Sequence, residues 1–176
     1  MLVFFSHLIL SLMINSILVF DFNENSNLSK WRVIDDVVMG GRSNGSLTLN
    51  EKGYAVFSGD VSLENNGGFS SLRYNCSPII LKDHTKCVLY LKGDKKKYQF
   101  RLRENRNDYQ SYIISFKTTG DWQKIEIPLD ELVPSFRGRE LNMPNFQSIK
   151  IEELGFLIGN KKNESFKLEI DKIEIE

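Results

Sequence analysis

The chain has 176 residues, 41% of them hydrophobic and 26% charged, a length and balance that fit one globular domain with a sizeable core. Lys+Arg and Asp+Glu both number 23, so the formal charge is zero and no global attraction to nucleic acid or an anionic membrane is expected. Aromatics reach 11%, with 12 Phe, a bias that favours strands over helices.

The first segment, residues 2–20, is strongly apolar, interrupted by Ser6, His7, Ser11, Asn15 and Ser16. No Lys or Arg precedes it and no Ala-x-Ala follows, against a standard secretory signal. Polar interruptions and missing flanking charges count against a bilayer span. The pattern is better divided: residues 1–16 as an apolar leader, a signal or anchor, and residues 17–176 as one domain whose first strand is Ile17–Phe22. Localisation then depends on the leader: exported if residues 1–16 act as a signal, otherwise cytoplasmic or membrane-associated, with membrane contact only through that segment.

Short strand-like runs follow, separated by Gly, Asn and Asp clusters. Ser46–Leu49 and Tyr54–Ser58 flank Asn50-Glu-Lys-Gly53, a hairpin-type loop. Phe69–Tyr74 is a further strand. Cys87–Leu91 is nearly continuously apolar, as a strand inside a sandwich would be. Tyr98, Phe100 and Leu102 alternate with polar residues, as do Tyr112, Ile114 and Phe116. Trp122–Pro128 follows a Thr-Gly-Asp turn, and Leu129–Val133 is read as one turn of helix. The stretch 134–145, with Arg137-Gly-Arg139 and Met143-Pro144, reads as the longest irregular loop and a functional candidate. Ile151–Ile158 and Phe166, Leu168, Ile170 complete the set. Apolar parity slips between Ile170 and Ile173, which predicts a bulge. Many short strands without a helical period predict an all-β sandwich, jelly roll or barrel.

Cys76 and Cys87 suit either one disulfide in an exported chain or two buried free thiols. No Cys/His spacing suggests zinc, and no metal or cofactor is expected. Asn-x-Ser sequons stand at Asn27, Asn44, Asn75 and Asn163.

Five blocks in order carry a family resemblance: Trp31-Arg-Val-Ile-Asp-Asp-Val-Val-Met-Gly-Gly-Arg-Ser43, then Phe57-Ser-Gly-Asp-Val-Ser with Glu64-Asn-Asn-Gly-Gly-Phe69 and Arg73, then Leu91-Lys-Gly-Asp94 before Tyr98, then Trp122-Gln with Ile127-Pro128, and finally Leu154-Gly-Phe156 with Phe166-x-Leu-x-Ile-Asp171. Together they resemble the complex I intermediate-associated protein 30 family from about residue 18 to the C-terminus. That resemblance implies a galactose-binding-domain-like β-sandwich, and a chaperone role in assembly of respiratory NADH:ubiquinone oxidoreductase.

Several residues are candidates for binding a ligand or partner. Asp35 and Asp36 before Gly40 and Gly41 offer carboxylates on a flexible turn, suited to a cation or sugar hydroxyls, or to capping the turn itself. Met39 lies between them. Glu64, Asn65 and Asn66 form the densest polar cluster, with Asn66-Gly67 expected to turn at positive φ. If the two loops meet at one sandwich end, Asp36, Ser43, Glu64 and Asn65 form one polar site, or tie the loops together. Arg73, Arg101 and Arg103 are expected on one sheet face, either holding an anionic ligand or acidic partner, or paired with a neighbour such as Glu104 or Glu126. Trp31 and Trp122 are sugar-stacking platforms or, more ordinarily, buried rings, with Trp122 expected in the core or half-buried. The Lys95–Lys97 turn lacks the aromatic interleaving of a nucleic-acid site.

Enzymatic motifs are missing: no Gly-x-Ser-x-Gly, phosphate loop or dinucleotide fingerprint is present, and an Asp36–Glu64 acid pair would need a defined separation. The expected function is a non-enzymatic, protein-binding assembly factor. A carbohydrate-binding module of galactose-binding-like type is the alternative.

Overall fold

Strands with one apolar face are stable only when that face meets another. The structure, a computed structural model describing residues 16–176, meets this demand with two packed antiparallel sheets. The strands are β1 (Ile17–Asp21), β2 (Trp31–Asp35), β3 (Asn44–Leu49), β4 (Ala55–Val61), β5 (Ser70–Ile80), β6 (Lys86–Lys92), β7 (Lys97–Arg103), β8 (Ser111–Lys117), β9 (Trp122–Pro128), β10 (Val133–Phe136), β11 (Arg139–Glu140), β12 (Lys150–Ile158) and β13 (Glu164–Ile175). The first sheet has the order β3-β4-β13-β6-β9, with β1 also paired to β13. The second has the order β11-β10-β8-β7-β12-β5-β2. The chain passes repeatedly between sheets, the connectivity of a jelly roll.

The core lies between them. Phe57, Leu89, Leu91, Leu168 and Ile170 come from the first sheet, and Leu72, Tyr98, Phe100, Leu154 and Phe156 from the second, all fully or almost fully buried. Phe100 meets Phe156 edge-on at 5.9 Å. One end is closed by Phe20, Phe22, Trp31 and Tyr74, with Trp31 stacked on Tyr74 at 4.7 Å. Cys76 and Cys87 are free and buried, which decides between the two readings of the cysteines. Burial pushes the Cys76 thiol up to about 11 and the Cys87 thiol higher still.

The predicted bulge in the last strand is present, as a register shift between Ile170 and Lys172. It lets β13 serve two partners on one flank, β4 up to Ile170 and β1 from Lys172 onward. Other expectations need correction. Strand β2 was not anticipated, because its Trp-Arg-Val-Ile-Asp run is short and its pairing to β5 is non-local. The stretch expected to be irregular holds the β10–β11 hairpin, in which Arg137 and Gly138 both take positive φ, the backbone of a two-residue primed turn. Trp122, expected in the core or half-buried, is 44% exposed, lying against Tyr54 with ring centroids 4.6 Å apart. The turn expected over Leu129–Val133 is a 3-10 turn over Leu129–Glu131. The apolar leader, apart from Ser16, lies outside the described residues; among those described, no helix is long and apolar enough to cross a membrane.

Phe100→Ala is expected to lose about 3–5 kcal/mol, from lost transfer energy plus the cavity left in the central layer. Urea unfolding checks this as a fall in midpoint with little change in slope.

Candidate functional site

Strand β2 ends at Asp35, and the chain then makes a 3-10 turn over Asp36–Met39 before β3. Gly40 closes that turn at φ +89°, a conformation that favours glycine. The Asp36 side chain points inward and is fully buried. Its Oδ1 accepts the Ser43 amide at 2.9 Å. Its Oδ2 accepts the Ser43 hydroxyl at 2.5 Å, the Gly68 amide at 2.6 Å and the Phe69 amide at 3.2 Å. Ser43 Oγ in turn accepts the Ser62 amide at 3.0 Å. Two glycines make room for the carboxylate: a Cβ on Gly41 would sit 2.2 Å from Oδ1, and one on Gly67 would sit 2.6 Å from Oδ2.

The loop after β2 and the loop before β5 therefore meet at one sandwich end. Burial raises the Asp36 pKa, but the four hydrogen bonds, led by the Ser43 hydroxyl, outweigh it and hold the carboxyl below the ordinary aspartate range. Both oxygens are spent on protein donors. Neighbouring Asp35 accepts the Gly45 amide at 2.8 Å through Oδ2, while its Oδ1 and the hydroxyl of cross-strand Ser70 are buried without a hydrogen-bond partner. Glu64 does not share the Asp36 site; it faces outward and pairs with Arg42 at 2.8 Å. Asn65 and Asn66 are exposed at φ +55° and +60°, so these two asparagines carry the positive φ expected at Asn66-Gly67, whereas Gly67 is at φ −69°. No group of three or more His, Cys, Asp or Glu capable of holding a metal occurs among the described residues.

The turn pinned by Asp36 displays three consecutive apolar side chains. Val37 is 59% exposed, Val38 75% and Met39 60%. Leu63 is also exposed and belongs to the same end, since a Cβ on Gly68 would lie 3.1 Å from its Cδ2.

A second cluster occupies the outer face of the second sheet. Pairing aligns Arg32, Arg73, Gly155, Arg101 and Ile113 in one row across β2, β5, β12, β7 and β8. The next row sets Glu153 between Asn75 and Arg103. Arg73, Arg101 and Arg103 thus do share a face, but the acid among them is Glu153, 3.4 Å from Arg103 and 4.0 Å from Arg73, rather than Glu104 or Glu126. Glu126 instead pairs with Lys86 and Lys124 on the first sheet. Sequence reasoning missed Glu153, although it sits at a polar position of the Ile151–Ile158 run. It also missed Val37 and Val38, because nothing local distinguishes an exposed valine from a core one.

Two facing antiparallel sheets define an all-β sandwich of the galactose-binding-like fold. The family 11 carbohydrate-binding module of the Clostridium thermocellum cellulase Lic26A-Cel5E superposes with a TM-score of 0.68 at 16% identity, over 92% of this chain and 94% of that one. The agarase AgWH50C gives a TM-score of 0.63 at 11% identity, over 92% of this chain and 24% of that one. The chain itself belongs to the Complex I intermediate-associated protein 30 (CIA30) family, whose pattern matches residues 20–170. The mitochondrial protein of that name from Mus musculus is 27% identical over 180 residues, covering 89% of this chain and 55% of its own length. The chain thus spans about half the length of that curated relative.

Asp36→Ala strands the amides of Ser43, Gly68 and Phe69 and is expected to cost about 2–4 kcal/mol in urea unfolding. Because the folded chain holds the Asp36 proton less tightly than the unfolded chain, the carboxylate stabilises above its unfolded pKa of about 4. That contribution is lost as pH falls through the lower folded value. The stability gap between wild type and variant should therefore begin to narrow below about pH 4.

Proposed function

We propose that this chain is a non-enzymatic binding module, a protein-binding assembly factor related to those of respiratory complex I, and that the Val37–Met39 turn is its partner contact. One observation carries the reading: three adjacent apolar side chains stand in solvent on a turn whose base is pinned by four hydrogen bonds. Apolar residues so presented have little to add to the isolated fold and mark a surface for association. A preorganised turn loses little conformational entropy on docking. The Arg42–Glu64 pair supplies a polar rim. Membership in the complex I intermediate-associated protein 30 family supports a subunit or assembly intermediate of that complex as the partner.

The carbohydrate alternative has less support. Trp31 is locked in the core against Phe20, Phe22 and Tyr74, so it offers no stacking platform. The outer face of the second sheet carries arginines where a sugar cleft would want exposed rings. Hydrolysis has less still: buried Asp36 and surface-paired Glu64 do not face a common cleft.

Affinity purification from respiratory membranes with mass spectrometry tests the proposal. Complex I subunits should be enriched by the wild-type chain and depleted at least about tenfold by Val37→Ser/Val38→Ser/Met39→Ser, equivalent to about 1.4 kcal/mol of binding. The triple variant should unfold within about 0.5 kcal/mol of wild type, since these are surface positions. A wild-type chain that enriches no complex I subunit sinks the reading.

A further inference from the structure

The arginine face has a charge balance that the sandwich does not need. Arg73 and Arg101 flank Gly155, and Arg103 flanks Glu153 one row away. Glycine leaves backbone as the floor between the two flanking arginines. A Cβ there would lie 2.0 Å from the Leu72 carbonyl oxygen. The gap itself is a hollow of ≈ 10 Å³ lined by Arg73, Arg101, Glu153 and Gly155, and beside it lies a cleft of ≈ 220 Å³ walled by Arg32, Arg73, Asn75, Arg103, Arg106 and Glu153.

Arg73, Arg101 and Arg103 have one carboxylate, Glu153, among them, which leaves two positive charges uncompensated. Glu153 serves Arg103 and, at longer range, Arg73. Arg103 is further held by Ser111 Oγ, which accepts from Nε at 3.1 Å. The Arg101 guanidinium has neither a hydrogen bond nor an ion pair with any described residue. Burial first, and then repulsion from Arg73 and Arg103, draws its pKa down to about 10, so it still carries its charge at neutral pH. A desolvated cation beside like charges is unfavourable unless something supplies the missing acceptor. Guanidinium forks match the oxygens of an oxyanion.

The geometry points to an anion site: we infer that Arg73, Arg101 and Arg103 bind the dianionic phosphate of inorganic phosphate or of a small phosphomonoester. Two uncompensated charges call for a dianion rather than a single carboxylate. The hollow over Gly155 has room for about one ligand oxygen between Arg73 and Arg101, and the adjoining cleft takes the rest of the ligand. The site lies on the second sheet's outer face and is independent of the assembly reading.

Calorimetric titration at constant ionic strength tests it, with inorganic phosphate and glycerol 3-phosphate as probes and acetate and chloride as comparison anions. Both phosphates should bind saturably and more tightly than acetate. Glycerol 3-phosphate binding should tighten between about pH 5 and pH 7, as its second proton, of pKa about 6, is lost. Arg101→Met and Arg73→Gln should each weaken binding at least about tenfold. Arg101→Met should melt no lower than wild type without anion, which separates lost binding from lost structure. Tighter binding of glycerol 3-phosphate assigns the ester as the ligand, and tighter binding of inorganic phosphate assigns the free ion. No saturable phosphate binding, binding unchanged in both folded variants, or an equal response to chloride overturns the inference. Capture of complex I subunits is measured separately, so either reading can fail alone.

Discussion

The structure depends on one apolar layer closed between two sheets. The strands that contribute to it follow a period of two except where a register shift intervenes, in β1, β12 and β13, so between shifts each side chain is committed to one face by its neighbours. Leu72 turns inward because Tyr74 does, and Arg73 between them is therefore forced outward. The same parity sets Phe100 and Leu102 in the core and Arg101 and Arg103 on the opposite face. Where the parity must break, β13 carries a bulge after Ile170, and the strand resumes its inward pattern at Ile173.

Asp36 is the polar counterpart of that layer. A buried carboxylate is costly alone but favourable when several donors converge on it. Here the donors come from Ser43 just beyond its own turn and from the Gly68 and Phe69 backbone just before β5. The carboxylate thereby fixes the connection between β2 and β3 against the connection between β4 and β5. Gly41 and Gly67 are required by close approach to that carboxylate, and Gly40 by its left-handed backbone. Polar chemistry at this end builds the platform. The turn it holds presents apolar groups to solvent, in Val37, Val38 and Met39.

The fold thus offers two surfaces of opposite character. One is an apolar turn at a sandwich end, and the other is a cationic hollow on a sheet face. Their physical demands differ, since the first is preorganised by a loop clamp and the second by strand register. A family scaffold shared at low identity with carbohydrate-binding modules can host either without altering its core, because loops and outward positions vary independently of inward ones.

How much was legible follows from the range of each interaction. Period-two alternation and turn chemistry are local, so the all-β class, most strands and the bulge near Ile170 could be read from the chain alone. The ordered blocks around Trp31–Ser43 and Glu64–Arg73 placed the chain in its family and singled out Asp36 and Ser43. Strand β2 was missed because its short run gains its pairing from distant β5, and the β10–β11 hairpin because β11 is only 2 residues long. The sequence by itself determined which residues alternate, and hence that Arg101 and Arg103 lie together. Only the tertiary structure decided that Arg73 joins them across Gly155, that Glu153 is the acid paired with Arg73 and Arg103, and that Asp36 is enclosed while Val37–Met39 are not. The reason is physical: parity acts between adjacent residues, whereas register, enclosure and charge balance arise only when strands far apart in the chain are brought side by side.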